Sequence, residues 1–122
     1  MNLSTRLQVG TGNDVGIGGF IVVGTGDRNV LLRGIGPSLP GTDTLPDPVL
    51  ELHGENGFVT IINNNWRDTQ EAEIIATGIP PANDLESAIV ATLPANGAGY
   101  TAIVRGVNGT TGIAVVEVYA LN

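Results

Sequence analysis

Aliphatic and β-branched residues in this chain fall in short runs, separated by clusters of Gly, Asn, Asp and Pro. That is the pattern of strands joined by turns, not of amphipathic helices. The runs predict strands near Thr5–Gly10, Val15–Gly24, Val30–Gly36, Val49–His53, Phe58–Asn63, Ser87–Leu93, Tyr100–Val107 and Thr110–Tyr119. GENG at Gly54–Gly57 and Asn108-Gly109 read as hairpin loops. The second is the stronger signal, because Asn-Gly supplies the two positive φ values of a type I′ turn. Pro37–Pro48 holds four of the seven prolines and reads as a long crossing between sheets. QVGTG (Gln8–Gly12) recurs as VVGTG (Val22–Gly26), which predicts two similar turns.

One segment breaks the pattern. Asp68 followed three residues later by Glu71 has the form of a capping box, Gly78 suits the position after a helix, and Pro80 and Pro81 forbid continuation. A short helix near 69–77 follows, with Ile74 and Ile75 expected to anchor it. Eight strands in successive hairpins with one small helix predict an all-β fold. The form expected is an antiparallel, jelly-roll-like β-sandwich, one domain over 1–122, with residues 1–10 as a candidate docking or exchanged strand.

Composition narrows the function. The 122 residues include 18 Gly, five Arg, no Lys and no Cys, and the formal charge is −7. A nucleic-acid or anionic-membrane binder would need a cationic face, and no apolar run reaches the roughly 20 residues of a membrane-spanning helix. Zero Cys excludes thiol catalysis and Cys-ligated metals. Residues 2–8, NLSTRLQ, have neither the charged nor the apolar region of a signal peptide, so the chain reads as cytosolic or as a mature or excised piece.

Few residues carry candidate chemistry. Arg33 and Arg105 sit at apolar strand positions, so each calls for a carboxylate; Glu51, Glu86 and Glu117 are the strand acids of matching kind. The polar cluster Ile62–Glu73 suggests a candidate calcium site from Asn65 and Asp68 with Asp47 or Asp84, although the spacing matches no EF-hand. Trp66, Tyr100 and Tyr119 are the candidate rings for stacking on a sugar. A Ser-His-acid set could draw only on Ser4, Ser38 or Ser87 with the single His53, and no G-x-S-x-G elbow is present.

The strings NLSTRLQVGTG, IGGFIVVGTG, VLLRGIGPSL, DPVLELHGENG and NNNWRDTQEAE, with the stretch from GIPPANDLESAIV to VVEVY, together resemble a β-sandwich domain of large bacterial secreted or cell-surface proteins. It occurs there near C-termini or in tandem. The order D-P-x-L-x-L, N-x-W, G-Y-T-x-x-V is also similar to bacterial pre-peptidase C-terminal domains. The resemblance implies an extracellular or surface location, no catalysis and no assigned ligand. In such proteins the NLSTR stretch follows other sequence, so Met1 is expected to mark a cut or an added start.

The expectation drawn together from these readings is a non-enzymatic assembly module. It docks with copies of itself or neighbouring domains through sheet edges, in one version as a filament, using Leu3, Leu7, Val9, Phe20 and Val22. A calcium-assisted adhesion or glycan-binding module is the alternative.

Overall fold

A computed structural model describes residues 2–121; Met1, and the expectation attached to it, lies outside them. Among the described residues eight strands form two four-stranded antiparallel sheets. The strands are β1 (Asn2–Val9), β2 (Gly16–Ile21), β3 (Asp27–Ile35), β4 (Pro48–His53), β5 (Ile61–Asn63), β6 (Ser87–Pro94), β7 (Gly99–Gly106) and β8 (Gly112–Ala120), with one helix, α1 (Glu71–Ala76). The first sheet has the order β1-β8-β3-β6 and the second β2-β7-β4-β5.

The pairs β1–β8, β2–β7, β3–β6 and β4–β5 nest inside one another. The chain is folded double, closed at β4–β5 and rolled into two facing layers, which is jelly-roll connectivity. Strand neighbours in sequence therefore seldom pair. Among the described residues only β4 and β5 do so, and the expected succession of hairpins is corrected accordingly.

The Asn108-Gly109 turn shows why. Both residues have positive φ, 55° and 73°, as the dipeptide predicts. Yet β7 and β8 belong to different sheets, so the turn is a corner between layers. Positive φ reverses the chain locally; it does not decide which strands then pair. The long segment after Pro37 crosses between the sheets as expected, since β3 and β4 lie in different layers. The two GTG turns differ, because Gly12 alone of the first pair has positive φ, whereas both Gly24 and Gly26 do.

Alternation fills the space between the layers. In β4, Leu50 and Leu52 are fully buried; with Ala102 and Val104 beside them on β7, they share one cluster with Leu32, Ile89, Leu93 and Val116 of the other sheet. A second cluster of Leu31, Trp66, Ile74 and Ala88 lies on the outer face of the first sheet. The excursion from residue 64 to 86, including α1, covers that face. This explains why both faces of β3 are buried.

Helix α1 departs from the expectation in two ways. Its N-cap is Gln70, with no side-chain cap, so Glu71 stands at the first helical position and not at the third, where a capping box requires it. Ile74 is buried, but Ile75 is 51 % exposed. The far end is as predicted: Thr77 caps, and Gly78 follows at φ 80°.

Candidate functional site

A sandwich of two open sheets has four edge strands, and each edge presents unpaired backbone groups that invite another strand. Here the edges are β1 and β6 in the first sheet, β2 and β5 in the second. They are treated very differently. On β6, the Gln70 side chain acts as a surrogate strand: its Nε2 donates to the Val90 carbonyl at 2.9 Å and its Oε1 accepts from the Val90 N–H at 2.9 Å. The Ala88 N–H donates to Asn63 Oδ1 at 3.0 Å, and Asn63 stands on β5, so one side chain bridges the two sheets on that side. β5 itself is only three residues long. The β5/β6 side is closed.

Gln70→Ala removes both bonds to Val90 and reopens β6. We expect a loss of about 1–3 kcal/mol in urea unfolding. We also expect a new tendency to aggregate on mild heating, read by light scattering.

The β1/β2 side is open. β1 is bonded along its whole length to β8, from Asn2 opposite Tyr119 to Val9 opposite Gly112, and β2 to β7. No side chain bonds to the remaining backbone groups of either strand among the described residues. Between the strands the layers first press together. A side chain at Gly16 would collide with Leu7, and one at Gly18 would meet Val116, so the two glycines let the sheets close there. Towards the other end they part, leaving an apolar cleft of about 300 Å³ lined by Leu3, Phe20, Val22, Val30 and Val118. Phe20 stacks on Tyr100 at 5.6 Å, which fixes the cleft floor. On the outer face of the same edge strand, Ile17 and Ile21 are each 57 % exposed, and Val23, just past its end, is 67 % exposed. Arg6 and Arg28, on β1 and at the cleft rim, have no ion-pair partner among the described residues, whereas Arg33, Arg67 and Arg105 all do.

The acids and arginines expected on strands sort themselves plainly. Arg33 Nε donates to Glu117 at 2.7 Å, and its other nitrogens reach the Ile79 carbonyl and the Tyr119 hydroxyl, pinning the excursion to the first sheet. Arg105 Nε bonds Glu51 at 2.8 Å. Glu51 also bonds His53 Nε2 at 2.9 Å. Burial pushes the Glu51 carboxyl up, but the hydrogen bonds and charge of His53 and Arg105 outweigh it and hold it below its usual value. A lowered carboxylate pKa stabilises the fold above the ordinary Glu range, and that contribution is lost as pH falls through the lowered value. Glu51→Gln should therefore flatten the acid limb of a stability-against-pH curve.

Glu86 corrects the expectation of an ion pair. It is fully buried and faces no arginine. It accepts instead from the N–H groups of Gly36 (3.0 Å), Ser38 (3.0 Å) and Asn83 (3.1 Å) and from the Ser38 hydroxyl (2.6 Å).

The candidate calcium residues do not come together. Asp84 is bonded to Arg67 at 2.7 Å, and Asn65 reaches Asp68 only at 3.5 Å. Asp47, elsewhere on the fold, has a buried oxygen with no partner and a pKa raised by burial. No group of three His, Cys, Asp or Glu side chains forms among the described residues. The expected ring platform is not formed either: Trp66 and Tyr100 are 2 % and 4 % exposed, and Trp66 lies beneath Arg67. His53 bonds Glu51 and Thr60, while Ser38 is committed to Glu86.

The expected docking residues need correction by parity. Val9, Phe20 and Val22 are buried, and Leu7 is partly buried against the same core. Leu3, Phe20 and Val22 line the cleft together with Ile21 and Val23, and of the apolar side chains on β2 and just past its end Ile17, Ile21 and Val23 are the ones left exposed. Alternation in IGGFIVV puts every second residue outward, a signal present in the sequence.

No family model matches the chain, and no curated protein matches it. Among solved structures, it is similar to a family GH115 4-O-methyl-α-glucuronidase with specificity for decorated arabinogalactans, at a TM-score of 0.38 and 15 % identity, covering 98 % of this chain and 14 % of that one.

Proposed function

We propose that this chain is a non-enzymatic assembly module whose β1/β2 side joins a second copy of itself. The observation that carries the reading is the asymmetry of the edges: one side is bridged by Asn63 and blocked by Gln70, and the other is unblocked and flanks an apolar cleft. Long unblocked edges beside exposed Ile and Val attract strands. The resemblance to domains of bacterial secreted and surface proteins supports a place outside the cell, where repeated copies or neighbouring domains meet. Contacts that pair unlike patches on successive copies give a filament, and contacts that pair like patches give a closed dimer.

Sedimentation across a wide concentration range tests it. The wild-type chain is expected to self-associate. Leu3→Lys with Ile21→Lys, which puts two charges at the cleft, is expected to leave it monomeric. Ile62→Lys, on the closed side, is expected to change nothing. A wild-type monomer at all concentrations, or association indifferent to Leu3 and Ile21, contradicts the reading.

A further inference from the structure

The outward strand of the open side has a sequence that is its own complement. From Val15 to Val23 it runs V-G-I-G-G-F-I-V-V, with no charged residue. For two antiparallel copies to share one continuous sheet, inward residues must oppose inward ones, so residue numbers across the pair must sum to an even number. With Gly19 facing Gly19, Ile17 meets Ile21 and Gly18 meets Phe20. Each large residue then faces an apolar residue on the outer face or a glycine on the inner one. A shift by one step in one direction stacks Phe20 on Phe20 and faces Ile21 with Gly19; in the other Ile17 faces Gly19 and only Ile21 keeps an apolar partner, Val15, so of the three the Gly19-centred register alone pairs isoleucine with isoleucine.

The ends of the strand supply charge that fits the same register. Arg28 lies over Gly24, where a side chain added to that glycine would strike its guanidinium. Residue 24 falls opposite residue 14 when Gly19 is the centre. Asp14 is exposed and has no ion pair among the described residues, as has Arg28. We infer that β2 pairs antiparallel with β2 of a second copy about Gly19, extending the second sheet to eight strands. Ile17 then packs on Ile21, and Arg28 meets Asp14, twice each around the two-fold. The inference rests on the β1/β2 side being the assembly face, and adds the strand, the register and the symmetry.

Because the chain has no Cys, cross-linking reads the register directly. Gly19 has ordinary space for a side chain, its nearest neighbour being the Tyr100 carbonyl at 3.9 Å. Gly19→Cys is expected to form a disulfide-linked dimer on oxidation. Ile17→Cys alone is not, since its two copies stand about 13 Å apart along the strands, beyond the roughly 7 Å reach of a disulfide. A mixture of Ile17→Cys and Ile21→Cys chains is expected to link as a heterodimer. In a second, independent arm, Asp14→Arg should weaken association about tenfold or more, and adding Arg28→Asp should restore it. Failure of Gly19→Cys to link, together with no rescue by the charge swap, overturns the register. If the wild type still associates and Leu3→Lys with Ile21→Lys still disperses it, the assembly reading survives that loss. A wild-type monomer overturns both.

Discussion

Glu86→Ala is expected to lower the unfolding free energy by about 3–5 kcal/mol, measured by urea denaturation. The carboxylate is fully buried and gathers four donors from two loops, one after β3 and one before β6. Truncation strands the buried Gly36 N–H and takes the acceptor from the part-buried donors of Ser38 and Asn83. A buried unsatisfied donor costs about 1–3 kcal/mol, and the link between the two loops is lost with it. Glu86→Gln tests the chemistry and not the volume. Its amide offers one acceptor and one donor group, so one loop loses its bonds and meets a donor facing a donor. An intermediate loss is expected. If Glu86→Ala were near neutral, the carboxylate would not be what joins the two loops.

The second large effect is at a corner. Gly106 ends β7, and a side chain there would press into the Thr110 carbonyl and hydroxyl. Gly106→Ala must therefore move backbone at the point where the chain passes from one sheet to the other. We expect a loss of about 3 kcal/mol or more, or failure to fold. Gly109→Ala is the comparison. Its φ is 73° but nothing lies within 4 Å of the added carbon, so its cost is the left-handed backbone alone, about 1–2 kcal/mol. The order Gly106 above Gly109 belongs to a corner. In a simple two-residue hairpin the turn glycine would be the sensitive one.

That contrast shows how much the sequence disclosed. Strand positions were legible because period-2 burial and Gly-rich turns are local. Pairing was not, because nested pairs such as β1 with β8 join residues more than a hundred positions apart, and nothing in either run names its partner. Arg33 and Arg105 could be recognised as needing acids, because a cation on an apolar strand face has few alternatives. Which acid each found was decided by register across β3–β8 and β4–β7. Glu86 misled for the same reason: a buried carboxylate can be satisfied by backbone N–H groups, which no sequence pattern advertises. Asn63 reads as the end of a strand and Gln70 as part of the short helix, and their role as edge blocks exists only once β6 lies beside them. Phe20 and Val22 were expected at the surface, but alternation buries them and exposes their neighbours Ile21 and Val23.

Backbone amide exchange, followed residue by residue at low and at high protein concentration, tests the central claim most directly. Amides of Ser87–Pro94 that the side chains of Gln70 and Asn63 engage should be protected at both concentrations. The outward amides of Gly16–Ile21 should exchange freely in dilute solution and become protected as concentration rises. Free-edge amides that stay unprotected at every concentration, or new protection that appears on Ile61–Asn63 instead, would contradict the assignment of the β1/β2 side as the face that joins copies.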